Sequence, residues 1–402
     1  MPRKPEMPRK IVMLLDGTAN ALTPNTTNLP RLYRILKQSK TQLVFYDPGV
    51  GTFEEGSSYL QSWRRFKEGL GMATGWGMER NVKQAYRYLC TATGTTDEIK
   101  DEIFLMGFSR GAYAARVLGG LIHQIGLLRP DQLHLVDYAF DAYRKIADDR
   151  PEAADSSAPF EAVDIFTDHL KPRRVPIRCV AVFDTVASML TIEGARLRMR
   201  PYANTDNNKS VQSVRQALAI DERRVMFKPC LWGDKRIYRG GKFGRDTSQD
   251  VNEVWFSGVH ADIGGGYPEA EAGLAKLPLR WMLNELEPMG LEIDTRAYRK
   301  YALGAYNDAY IAPNPLAAPH DSMTPDWKIL EALPFKHTRY TQTHRKVRFG
   351  FYRPKCERRI ISDGANIHAS VFERRGTESD YDQPNIPATH TVVDDLGSSK
   401  DP

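Results

Sequence analysis

The sequence predicts an α/β fold, with a mostly parallel central sheet flanked by helices and interrupted by insertions. Three observations predict it. Short, nearly unbroken apolar runs recur at 10–15 (KIVMLL), 102–106 (EIFLM) and 177–183 (IRCVAVF). Runs apolar at successive positions, rather than alternate ones, suit strands covered on both faces. Segments with helical spacing of apolar residues lie between them, the alternation that builds a parallel sheet. The chain of 402 residues is 41% hydrophobic and 10% aromatic, enough for a large core and unlike a disordered or collagen-like chain.

Taken in order, residues 10–15 read as a buried strand ending at Asp16-Gly17-Thr18. Asn28 to Leu36 reads as a helix, and Leu43 to Tyr46 as a second strand before the turn-forming Asp47-Pro48-Gly49. The Gly- and aromatic-rich stretch 53–77 (Phe53, Tyr59, Trp63, Phe66, Trp76) reads as irregular, able to line a ligand pocket or pack in the core. Val82, Ala85, Tyr86 and Leu89 mark a helix over 79–89. After the strand at 102–106 comes a helix over 110–122 rich in small residues. Helices are expected at 131–150 and 160–170, before the strand 177–183. Residues 189–210 are polar and read as a lid or insertion, and the spacing predicts a helix over 211–220. Glu253 to Phe256 is a strand and Arg280 to Met289 a helix. Four prolines make 312–325 a loop, and 376–402 reads as extended. In domain terms, 1–9 is a flexible basic N-terminus, 10–388 one domain and 389–402 a polar tail.

Charge excludes more than it assigns. Lys+Arg number 56 against 50 Asp+Glu, a net +6 spread along the chain. Local clusters (Arg64-Arg65, 171–174, 196–200, Arg358-Arg359) fall short of a nucleic-acid-binding arm. No window approaches 18 uninterrupted apolar residues, and the basic N-terminus MPRKPEMPRK leads into a strand without a small-residue cleavage site. The expectation is a cytoplasmic protein, or one exported without a signal peptide. Cys90, Cys179, Cys230 and Cys356 are far apart, with no CxxC pair to suggest zinc or a disulfide framework.

The strongest chemical signal is Gly107-Phe108-Ser109-Arg110-Gly111, a G-x-S-x-G between an apolar strand and a helix containing Ala112, Ala114, Ala115 and Gly119. That is the strand–turn–helix setting of a nucleophile elbow, which lifts a serine hydroxyl above the sheet at a helix N-terminus. A serine needs a base, and His260 sits on a Gly-rich loop just past a strand (VWFSGVHADIGGGY). His123, His320, His344 and His368 are its rivals. The base needs an orienting acid, and Asp184 ends the apolar strand 177–183, at the ligand rim of a parallel sheet. Asp262 is the rival acid. The order Ser109, Asp184, His260 is that of an α/β-hydrolase. Arg110 N–H is one expected oxyanion donor, and Gly17 or Thr18 the other. Asp16 is a candidate brace for that loop.

Two other classes stay open. DGT resembles part of the D-x-D-G-T of haloacid-dehalogenase-type phosphatases, but Leu14 stands where their nucleophilic Asp belongs. Asp16, Asp262 and His260 are also compatible with a divalent-metal phosphoric-ester hydrolase. A non-catalytic binding protein on the hydrolase fold is the second alternative.

The motifs together resemble an α/β-hydrolase family that includes phospholipase effectors of bacterial type VI secretion. The matching blocks are LLDGTAN with TTNLPRL, YDPGVGT, MGFSRGAYAAR with GGLIHQIGLL, AVFDTVAS, QALAIDERR and VWFSGVHADIGGGY, then HDSM and IHASVFERR with YDQPNIP. Gln216 departs from the pattern, where histidine is expected. The resemblance implies carboxylic-ester hydrolysis by Ser109, Asp184 and His260, with no metal or organic cofactor. It also implies a small-molecule or lipid ester substrate and transient contact with a membrane surface, while the charge pattern leads us to expect no nucleic-acid partner. Arg223 and Arg224 are expected either to steady an anionic head group or to form an internal ion-pair brace.

Overall fold

The computed structural model describes residues 8–17, 26–49, 76–94, 101–148, 158–186, 190–193, 196–199, 202–233, 236–240, 245–306, 309–336, 343–377 and 381–395. Thr18, the aromatics Phe53, Tyr59, Trp63 and Phe66, most of the basic N-terminus and the last seven residues of the expected tail lie outside them. So does the side chain of Trp76.

The strands are β1 (Lys10–Leu15), β2 (Gln42–Asp47), β3 (Glu102–Phe108), β4 (Ile177–Phe183), β5 (Leu190–Glu193), β6 (Arg196–Met199) and β7 (Val211–Ala219). They continue with β8 (Ile237–Tyr238), β9 (Thr247–Ser248), β10 (Asp250–Phe256), β11 (Phe335–Lys336), β12 (Phe351–Tyr352), β13 (Ala365–His368) and β14 (His390–Val393). Eight form one sheet in the order β14-β13-β10-β7-β4-β3-β1-β2, every pair parallel. β5 with β6, β8 with β9 and β11 with β12 are separate antiparallel pairs.

Successive side chains of a strand face opposite sides, so a strand buried on both faces feeds two cores. In β1, Ile11, Met13 and Leu15 pack with the helices Trp76–Ala92, Arg110–Gln124 and Val136–Asp148, while Val12 and Leu14 pack with Asn28–Ile35 and Gly273–Leu286. β4 divides in the same way, with Val180 and Val182 on one face and Cys179, Ala181 and Phe183 on the other. A smaller cluster of Leu218, Trp255, Ile367 and Val371 closes the β13 side. Cys90 and Cys179 are buried free thiols.

Two expectations are corrected. Residues 211–219 form not a helix but β7, paired with β4 and β10 in the sheet. The i, i+3, i+7 spacing of Val211, Val214 and Leu218 mimics a helix, and Arg215 and Gln216 break the strand signal. Both polar side chains are satisfied from afar. Arg215 binds Asp250 and Glu285, and fully buried Gln216 bonds to Arg116, Thr185, Cys230 O and Glu253. The stretch 389–402, expected as a polar tail, supplies β14, whose pairing with β13 needs backbone groups rather than apolar side chains. Within 189–210, β5 and β6 form a hairpin, and 202–208 packs on the helix Arg110–Gln124. Tyr202 N–H donates to Tyr113 Oη of that helix, and Tyr143 Oη–H, from the helix Val136–Asp148, donates to Ala203 O.

The strand order reverses direction between β1 and β3, and ligands of open parallel sheets bind at the carboxyl rim of such a switch. The register aligns that rim: Leu15 opposes Asp47 and Gly107, Phe108 opposes Phe183, and Ala219 opposes Phe256.

Candidate active site

β3 ends at Phe108, and the next residue carries the strain of the turn. Ser109 has φ 58°, ψ −123°, a left-handed φ that a residue with a Cβ rarely adopts. Its N–H is held by Phe183 O at 3.1 Å. Glycines make the turn passable. A Cβ on Gly111 would stand 2.2 Å from Leu15 O and 2.3 Å from Asp16 O, and one on Gly107 would stand 2.5 Å from Gly111 O. The helix Arg110–Gln124 therefore starts directly against the end of β1, with Ser109 at its N-cap.

The structure brings together three of the residues singled out in the sequence. Ser109 Oγ lies 2.8 Å from His260 Nε2, and His260 Nδ1 lies 2.5 Å from Asp184 Oδ2. All three are buried. His260 opens a short helix after β10, between the rings of Phe108 (4.7 Å, tilted) and Phe227 (4.8 Å, edge-on). A Cβ on Gly264 would overlap the Phe108 ring, so the Gly-rich run lets this loop seat against β3.

Asp184 also has a positive φ (41°) and is fully buried. Burial alone would raise its carboxyl. Arg359 outweighs that: its guanidinium spans both oxygens, Nη1 to Oδ1 at 2.5 Å and Nη2 to Oδ2 at 2.9 Å, and with His260 it holds the acid far below the usual carboxylate range. Ala219 N–H adds a third donor at 3.0 Å. His260 is shifted downward, because burial disfavours its charged form more than Asp184 favours it. The imidazole is therefore neutral at neutral pH, the state in which Nε2 accepts a proton.

Glu222 supports the histidine from behind. Its Oε2 accepts His260 N–H at 3.2 Å, and its carboxylate gathers Arg224 Nε, Nη2 and N–H, Arg223 N–H and Ser322 Oγ–H. Burial opposes its ionisation, but the Arg224 contacts hold it down to about 2. Arg224 thus pairs internally, and it also lies over the Phe227 and Trp327 rings. Arg223 pairs with Asp321.

The rival residues are engaged elsewhere. Asp262 caps Val259 N–H and bonds His320 Nδ1 at 2.6 Å, while His320 Nε2 meets Glu271. His123 bonds Ser210 and His368 bonds Ser370. Asp16 accepts Gly17 N–H, Thr27 Oγ–H and Tyr46 Oη–H, a brace across the β1–β2 rim. Gly17 N–H, expected to face an oxyanion, is thus already engaged at 2.7 Å. Asp16, Asp262 and His260 do not converge as the metal reading requires, and no cluster of three or more potential metal ligands occurs among the described residues.

Sequence reasoning missed Arg359, Phe227 and His320's pairing with Asp262. Arg359 stands 175 residues from Asp184 with no local motif to mark it.

A model described as the type VI secretion system (T6SS) phospholipase effector Tle1-like catalytic domain covers residues 9–285. The chain belongs to this Tle1-like family. All three relay residues fall within the matched span, and Arg359 lies beyond it. The uncharacterized protein YEL023C of Saccharomyces cerevisiae is 29% identical over 230 residues, 55% of this chain and 32% of that protein. The chain thus spans about a third of that curated relative. Two solved structures are similar in part. One is an uncharacterized protein from Pseudomonas aeruginosa (17% identity, 71% of this chain, 46% of that one, TM-score 0.36). The other is the Tle1 effector bound to the VgrG spike of the type 6 secretion system (19% identity, 67% and 53%, TM-score 0.31).

Proposed function

We propose that the chain is a serine hydrolase that cleaves carboxylic esters, with acyl esters of phospholipids as substrate class, through an acyl-enzyme. The carrying observation is the continuous relay Ser109–His260–Asp184 on a strained elbow. Membership of a phospholipase-effector family supports the lipid assignment. In the first half-reaction His260 Nε2 takes the Ser109 proton while Oγ attacks the ester carbonyl carbon. The oxyanion is stabilised by Arg110 N–H, which opens the elbow helix and has no acceptor one turn back. Collapse breaks the ester C–O bond, and His260 returns its proton to the departing alcohol. Water then attacks the acyl carbon, with His260 as base, and releases the fatty acid and Ser109. Asp184 orients the ring and steadies the imidazolium, and Arg359 keeps Asp184 ionised and fixed.

The test is hydrolysis of phospholipids and p-nitrophenyl esters by wild type and Ser109→Ala. Loss of about five to six orders of magnitude in kcat is expected, with an unchanged circular dichroism spectrum. Turnover retained in the variant, or abolished by chelator in wild type, contradicts the reading.

A further inference from the structure

One surface is left unexplained by the relay. Among the described residues the most exposed large apolar side chain is Phe349, 88% accessible, at the tip of the turn between Arg348 and Phe351. Phe349 and Gly350 both have positive φ, so the turn is tight and holds the ring outward. Val347 and Phe351 beside it are 43% and 48% exposed. Thr343 to Lys355 carries Arg345, Lys346, Arg348, Arg353 and Lys355, all exposed, and no acidic residue. Arg348 lies over the Phe349 ring. A water-facing protein surface has little reason to expose an aromatic tip on a segment with five exposed cations and no acidic residue.

The surface is tied to the site. β12 pairs with β11, which follows the helix Pro325–Glu331. That helix exposes Ile329 (68%), and Leu333 (50%) follows it. Its Trp327 packs edge-on against Phe227, the ring that packs on His260. Buried Glu331 accepts both Val225 N–H and Cys356 N–H, binding this layer to the loop that carries Arg224 and Phe227. The patch thus sits on the layer that walls one side of the base, and it lies beyond the family-matched span.

We propose that the 343–355 turn, with Ile329 and Leu333, is an interfacial surface that docks the protein on anionic lipid bilayers. Aromatic and aliphatic side chains enter the headgroup boundary while the five cations meet lipid phosphates. Charge complementarity selects this occupant over a second copy of the chain, whose identical basic patch would repel it. The proposal rests on the lipid-ester reading only for its purpose; binding itself does not require catalysis.

The experiment measures vesicle co-sedimentation of the full chain, with phosphatidylcholine alone and with phosphatidylcholine–phosphatidylglycerol mixtures, at low and high salt. Wild type and Ser109→Ala are both expected to bind the anionic vesicles preferentially, more weakly in salt. Phe349→Ser should weaken partitioning roughly tenfold. The pair Lys346→Glu and Arg348→Glu should weaken it about thirtyfold or more and abolish the anionic preference. Both variants should keep wild-type turnover of a soluble short-chain ester, which also shows that they fold. Wild type that ignores anionic vesicles, variants that bind like wild type, or a dimer lost in Phe349→Ser without vesicle binding would overturn the proposal. Patch-dependent binding with Ser109→Ala fully active would leave it standing and sink the serine mechanism instead.

Discussion

Arg359 is the residue on which the proposed chemistry turns most sharply. A carboxylate buried in protein resists ionisation, yet Asp184 must be charged to orient His260. The bidentate guanidinium resolves that conflict. Burial, against the pull of Asp184, holds the base below its ordinary value of 6.5, and a cation paired to Asp184 adds no reason for the imidazolium to form. The sign follows: activity in kcat/KM appears as His260 loses its proton, so the acid limb of wild type should lie below pH 6.5. Arg359→Gln removes the compensating cation, makes imidazolium easier to form and moves the limb to higher pH. It should also lower kcat roughly ten- to a hundredfold through a less fixed acid. Arg359→Lys keeps the charge and should keep the limb near wild type. A pH–rate series on the three proteins checks this, and a merely structural role would lower the rate without moving the limb. That Ser109, Asp184 and His260 come together was legible in the sequence, because each ends a strand or lies within a glycine-rich turn. Arg359 was not, because a long-range ion pair leaves no local pattern.

At the scale of elements, the sheet was legible where strands are apolar throughout and misread where polar side chains are satisfied by distant partners. β1, β3 and β4 carry their own signal. β7 does not, since Gln216 and Arg215 look surface-exposed until Glu253, Arg116 and Glu285 are placed beside them. β14 is short and half-polar, as an edge strand can be. The elbow is the element under most constraint, and its glycines were legible for that reason. Gly111→Ala tests it cleanly. Helix propensity alone would favour alanine by about 1 kcal/mol. The contacts with Leu15 O and Asp16 O should reverse that to a destabilisation of about 2–3 kcal/mol, read from the denaturant midpoint. A neutral or stabilising outcome would mean that the helix start does not abut β1.

Across the whole molecule, the family-matched span supplies the relay and the chain beyond it completes the surroundings. Residues after 285 contribute β13 and β14, Arg359 against Asp184, His320 against Asp262, and Trp327 against Phe227. No helix among the described residues is long and apolar enough to cross a membrane. The proposed contact with lipid is the surface around Phe349. The most direct test of the account is covalent capture by a fluorophosphonate probe, with the modified peptide identified by mass spectrometry. The account predicts a single adduct on Ser109, formed faster as His260 deprotonates, insensitive to chelator and absent in Ser109→Ala. A well-folded wild type that takes no label, or takes it at another residue, would contradict it.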